Sequence, residues 1–139
     1  MSTKLAIFSL ICLIAACSSP AKQTYLSNPE DLNGHWNLVS AFPDTTDVRK
    51  AAIDQSPSLT INSAKKTIGG YSGCNGFGGE FILEKDKIEI GNLMATQRAC
   101  LGSIEPILFK HLKNINRYEV SKDSLKLYAQ DTLLLAFAR

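Results

Sequence analysis

The chain has 139 residues, enough for one domain with a core and too few for two ordinary ones. Hydrophobic residues make up 45% and charged residues 20%, which fits a soluble globular body and excludes a disordered chain or a body embedded in a membrane. The formal charge is +2, and because Lys4 is the one charged residue among the first sixteen, the remainder carries 14 basic and 13 acidic side chains; so small an excess excludes nucleic acid as a partner, since that affinity comes mostly from neutralising phosphates.

The chain opens with a short positive stretch, Met1 to Lys4, followed by Leu5 to Ala16, which has no charge. This is the pattern of a signal peptide. Twelve residues at ~1.5 Å each rise ~18 Å as a helix, short of the ~30 Å hydrocarbon core, so a spanning helix is not expected. The stretch ends Ile14-Ala15-Ala16-Cys17, which resembles the lipobox of bacterial lipoproteins: an apolar residue, two small ones, then cysteine. Cleavage over residues 1–16 would leave Cys17 to take a diacylglyceryl group on sulfur and a further acyl chain, such as palmitate, on its amine. Two or three chains at ~0.8 kcal/mol per buried CH₂ anchor far more firmly than one. The alternative is an ordinary secretory signal with an incidental cysteine. Cys12 fits the lipobox less well, because bulky Ile11 stands where a small residue belongs. Ser18 follows Cys17, and the absence of Asp there resembles the pattern that sends lipoproteins to the periplasmic face of the outer membrane. Residues 17–31 are polar, include Pro20 and Pro29, and read as a flexible tether.

The folded part is expected over residues 32–139. Trp36 to Ala41 and Ser58 to Asn62 read as strands, the second alternating apolar with polar as a half-buried strand does. Between them Pro43 to Asp47 is a turn cluster, and Lys50 to Gln55 a surface excursion. Thr67 to Tyr71 and Phe77 to Leu83 are strands flanking the glycine-dense segment Gly73-Cys74-Asn75-Gly76, whose glycines suggest bends or bulges. Lys87 to Ile90 forms a hairpin with the strand before it, and Met94 to Ala99 reads as a further strand. Ser103 caps a helix with Glu105 and Pro106 in its first turn and an apolar face of Ile104, Leu108, Leu112 and Ile115. Tyr118 to Val120, Ser124 to Tyr128 and Thr132 to Phe137 complete the chain as strands. The expected fold is mainly β: a small antiparallel sheet, barrel-like or folded over, with one α-helix before the last strands.

Leu32-Asn-Gly34-His-Trp36-Asn-Leu38, Pro57-Ser-Leu59-Thr-Ile61, the block Gly70-x-x-Gly73-Cys74-Asn75-x-Phe77-x-Gly79, then Thr96-x-x-Ala99-Cys100, Glu105 and Leu125-x-Leu127 together resemble the META domain family, the HslJ-like bacterial lipoproteins. The resemblance spans about Leu32 to Phe137; the segment Phe42 to Gln55 carries no inference. It implies a barrel-like fold with one helix, export, and a part in envelope stress tolerance, including heat shock, without a known enzymatic reaction.

Cys74 and Cys100 are the two cysteines of the mature domain, and an oxidising envelope favours a disulfide between them. Closing a loop of about 27 residues contributes on the order of 3 kcal/mol. A redox or metal role is the alternative, but no Cys-x-x-Cys occurs and His35 and His111 are not spaced with the cysteines as zinc ligands, so no metal or other cofactor is expected. Gly73 to Gly79 lacks the Lys-Ser or Lys-Thr of a phosphate loop and reads as a tight turn served by the side chain of Asn75. No Gly-x-Ser-x-Gly is present, and Glu84 and Asp86 read as solvated strand and turn positions, so no catalytic residues are assigned and no enzyme is expected. His111 reads as partly buried or surface, and Trp36 and Tyr71 as core or barrel-end packing. The expected function is therefore a lipid-anchored, monomeric, non-enzymatic domain that binds an envelope protein or another envelope component. The alternative is a carrier of a small apolar ligand in a barrel-like cavity, against which Phe77, Phe81, Leu127 and Phe137 suggest a filled interior.

Overall fold

The computed structural model describes residues 28–43 and 55–139. The expected signal peptide, Cys17 and the expected tether up to residue 27, together with most of the expected turn cluster and excursion after Pro43, lie outside the described residues.

The described part of the domain begins with a 3-10 turn, Pro29–Leu32, in which the Glu30 N–H donates to the Asn28 side chain and the Asp31 N–H to the Asn28 carbonyl, so residues 29–31 at the end of the expected tether carry regular structure. Nine strands follow among the described residues: β1 Gly34–Ala41, β2 Ser58–Asn62, β3 Thr67–Tyr71, β4 Gly76–Glu84, β5 Lys87–Ile90, β6 Met94–Ala95, β7 Arg117–Val120, β8 Ser124–Ala129 and β9 Thr132–Ala138, with helix α1 Glu105–Asn114 between β6 and β7. Every pairing is antiparallel, and because β3 also pairs with β4, eight strands close on themselves in the order β1-β2-β3-β4-β5-β7-β8-β9. Closure leaves few open edges, which a small sheet otherwise has to protect.

Alternation decides which side chains enter the barrel. Trp36 and Leu38 of β1, Leu59 and Ile61 of β2, Phe77 and Phe81 of β4, Tyr118 and Val120 of β7, and Leu125 and Leu127 of β8 all point inward and are buried. Strand β1 breaks its alternation at a register shift between Leu38 and Ser40, which turns Ala41 inward. An eight-stranded barrel is just wide enough for side chains to fill, and Phe81, Tyr118, Leu127 and Phe137 fill this one.

Both ends are closed. At the end holding the N-terminal turn, Leu32 is fully buried, Trp36 donates its indole N–H to the Leu32 carbonyl at 2.8 Å, and the Arg139 guanidinium lies 4.2 Å from the Trp36 ring centroid. Arg139 also donates to the carbonyls of Asp31 and Asn33, tying the last residue to the first turn. The helix covers the core elsewhere: Ile104, Leu108, Leu112 and Ile115 are all buried, each contributing about 1.5–3 kcal/mol of apolar burial. His111 is on this inner face too and only 5% exposed, a correction to its reading as partly buried or surface. It lies one residue before Leu112 and three after Leu108, and so falls within the same apolar stripe.

The expected strand over Met94 to Ala99 is two residues long. Strand β6 pairs with Phe77 and Gly78 on the edge of β4 that β5 leaves free, and beyond it the backbone is held by side chains. The expected cap also differs. The Ser103 hydroxyl accepts only from Glu105 N–H at 3.3 Å, and the helix starts after Ile104, which makes no side-chain cap.

Candidate functional site

The motif residues converge at the opposite end of the barrel, where the β3–β4 connection, the segment after β6 and the start of α1 meet. The connection is a tight turn in which the Ser72 N–H donates to the Asn75 carbonyl at 2.8 Å, and the fully buried Ser72 hydroxyl accepts from the N–H groups of Cys74 and Asn75. Gly73 takes the left-handed conformation the turn demands, with φ 93°. The expected strands flank it, so Gly73 to Gly79 is a turn and strand start.

Asn75 is buried and uses its whole amide. Its Oδ1 accepts from Thr96 Oγ1 at 2.9 Å and from Arg98 N–H at 2.8 Å. Its Nδ2 donates to the Arg98 carbonyl at 3.0 Å and to Glu105 Oε1 at 3.1 Å, and lies 3.3 Å from Cys74 Sγ. The other carboxylate oxygen of Glu105 accepts a hydrogen bond from the Ser72 hydroxyl. A buried amide that meets every partner fixes the three segments relative to one another, and this explains why Asn, Thr and Glu stand at these positions.

The disulfide completes the clamp. Cys74 and Cys100 are joined, with Cα atoms 6.0 Å apart and a sequence separation of 26. Cys74 is 4% exposed, whereas Cys100 is partly exposed and is followed by Leu101, which is 98% exposed. Sequence reasoning placed Asn75 in the turn and paired the cysteines; it did not join Ser72 to Glu105, because a contact spanning 33 residues leaves no local signal.

Glycines admit the neighbouring chain. A Cβ on Gly79 would lie 2.7 Å from the Asn92 carbonyl oxygen and 2.9 Å from a Leu93 methyl, so only glycine lets the β5–β6 connection fold over β4. At Gly70 a Cβ would lie 1.9 Å from the Ser58 carbonyl oxygen. These are close approaches of backbone where the sequence suggested bends.

A second polar group lies on the outer wall. Arg117 Nη1 meets Glu119 Oε1 at 2.7 Å, the Tyr128 hydroxyl donates to Glu119 Oε2 at 2.8 Å, and the guanidinium carbon stands 3.9 Å from the Tyr128 ring centroid. Burial and the hydrogen bond to Glu119 push the Tyr128 phenol up to about 12. Burial works against the Glu119 carboxylate, but hydrogen bonds from Arg117 and Tyr128 outweigh it and hold the group below its usual range. The i, i+2 spacing of Arg117 and Glu119 on a strand was the available signal.

Between β5 and α1 lies a surface cleft of about 560 Å³, lined by Ile90, Leu93, Phe109 and Ile115 with Glu89 and Lys113 at its edge. It opens where β5 and β7 separate after their single paired position, Lys87 with Arg117. Among the described residues no group of three or more His, Cys, Asp or Glu could hold a metal ion. His35 is exposed beside Thr60 Oγ1 on the barrel wall, and Glu84 and Asp86 are exposed at the β4–β5 turn.

The fold is shared with solved proteins. An NMR structure of a protein from Burkholderia xenovorans has a TM-score of 0.62 and 24% identity, covering 88% of this chain and 95% of its own. A crystal structure of a DUF4847 family protein from Bacteroides vulgatus has a TM-score of 0.61 and 17% identity, covering 77% of this chain and 92% of its own. Among curated proteins none matches the chain. The family model described as the META domain matches residues 30–139.

Proposed function

This chain belongs to the META domain family, and from that premise we propose that it is an exported, lipid-anchored domain that serves envelope stress tolerance by binding a protein or another envelope component, without catalysing a reaction. The observation that carries this reading is the filled barrel: large side chains occupy the interior, the Trp36 end is closed by the first turn, and α1 packs over the core. What such a body offers is its outside. There Leu101 and Met94 are 98% and 79% exposed on the rim beside the disulfide clamp, while the polar groups of that clamp are committed to one another. Lipidation at Cys17 would hold this surface at the membrane, with the periplasmic face of the outer membrane as the proposed location.

The test is crosslinking in cells followed by capture of the full chain, comparing the native protein with Leu101→Asp. The reading expects a partner that is lost or much weakened in the variant; recovery of nothing above background from the native protein would overturn it.

A carrier role is the second reading, and the cleft between β5 and α1 is what favours it. A small apolar ligand would lie there against Leu93 and Phe109. Native mass spectrometry of protein purified without detergent separates the two, since only a carrier yields a reproducible adduct that Phe109→Asp removes.

A further inference from the structure

The two sulfurs of the Cys74–Cys100 bridge are not equivalent. Cys74 is buried in the Ser72 to Asn75 turn; Cys100 is partly exposed at the foot of a projecting turn whose Gly102 has open space around it. A thiolate attacks a disulfide along the S–S axis, so the nucleophile needs access to one sulfur and the other becomes the leaving group. Access selects Cys100, and Cys74 is then expelled.

The fold has a partner ready for each form of an expelled Cys74. As a thiolate, its sulfur has the Asn75 amide N–H at 3.3 Å; as a thiol, it can donate to the Arg98 carbonyl, 3.2 Å away. Opening the bridge therefore leaves no buried sulfur without a polar neighbour. The segment it releases is also bounded. Thr96 N–H stays bonded to the Gly76 carbonyl, and Asn75 holds Arg98 at both its N–H and its carbonyl. The freed residues run from Ala99 to Ser103 and include exposed Leu101.

From this geometry we infer that Cys74–Cys100 is a reducible site in the folded domain, attacked at Cys100 by a protein dithiol, and that its opening loosens residues 99–103 while the barrel stays closed. The first thiolate of the reductant bonds to Cys100 Sγ, and the S–S electron pair leaves on Cys74 Sγ, which takes up a proton. The second thiol then attacks the reductant's own sulfur in the mixed disulfide and releases Cys100, which is protonated in turn. The domain gains two thiols and the dithiol becomes a disulfide. The inference is independent of which partner the exposed rim binds.

The test uses the full chain, purified oxidised, and a dithiol oxidoreductase stripped of its resolving cysteine, which arrests the exchange as a mixed disulfide. Peptide mapping is expected to place the adduct on Cys100, at a rate at least about tenfold above that of global unfolding followed in parallel. Hydrogen exchange after full reduction should rise at residues 99–103 and stay protected in β3 and β4. An adduct on Cys74, a rate that equals unfolding, or uniform loss of protection would overturn the inference.

Discussion

Asn75 and Arg98 are joined twice: the side-chain carbonyl of Asn75 accepts the Arg98 N–H at 2.8 Å, and its amide donates to the Arg98 carbonyl at 3.0 Å. One side chain thus supplies both hydrogen bonds that a neighbouring strand would otherwise provide, which is why regular pairing stops after Ala95 without leaving the backbone unpaired. Replacing Asn75 by Ala leaves both Arg98 groups without this partner and should destabilise the domain by about 2–3 kcal/mol, read from the urea midpoint. Asn75→Asp retains the acceptor side but places a carboxylate oxygen against the Arg98 carbonyl and Glu105, so its loss should exceed that of Asn75→Ala. Equal stability of Asn75→Asp and the native chain would mean the donor side is immaterial.

The bridge joins residues separated by 26 in sequence, and removing it as Cys74→Ala with Cys100→Ala should lower stability by about 3 kcal/mol, mostly by freeing the unfolded chain. In protein taken from resting cells and alkylated without reductant, neither thiol should be labelled. Labelling of both would show that the bridge is absent at rest.

Tyr128 and Glu119 predict opposite pH limits. The phenol of Tyr128 is raised to about 12 in the folded state, so the stabilisation it contributes is complete below its unfolded pKa of about 10 and is lost as pH climbs between the two. Glu119 is lowered, so its contribution is present above its unfolded pKa and lost as pH falls through the folded value. Tyr128→Phe should flatten the alkaline decline in stability, and Glu119→Gln the acidic one. A phenolate titration in which Tyr128 ionises near the ordinary tyrosine value would remove the basis for the first expectation.

Gly70→Ala should be among the most damaging small substitutions, because its methyl would meet the Ser58 carbonyl on the neighbouring strand at φ 157°. A loss of at least about 2 kcal/mol is expected from overpacking together with backbone strain, measured by thermal or urea unfolding. A near-neutral result would require β2 and β3 to separate more easily than their five paired positions suggest.

Much of this architecture is legible in single residues. The alternation of Ser58 to Asn62 and of Lys87 to Ile90 gives strands with those bounds, and the spacing of Ile104, Leu108, Leu112 and Ile115 gives the buried face of α1. Legibility ends where side chains replace the backbone ladder or meet across long separations. The link from Ser72 to Glu105 spans 33 residues, which no local window contains, and the placing of Arg117 and Glu119 against Tyr128 depends on the register of the β7–β8 hairpin. His111 reads as partly buried or surface because it stands near the boundary of the apolar face, whereas packing of α1 puts it inside at 5% exposure.

The proposed role requires an acylated Cys17 that holds the barrel at a membrane. The most direct measurement is the intact mass of the processed protein, with the mass of its N-terminal peptide, from fractionated cells with intact lipoprotein maturation. The prediction is a membrane-bound form beginning at Cys17 that carries a diacylglyceryl group and a further acyl chain, both abolished in Cys17→Ala. A freely soluble, unacylated protein in those cells would contradict it.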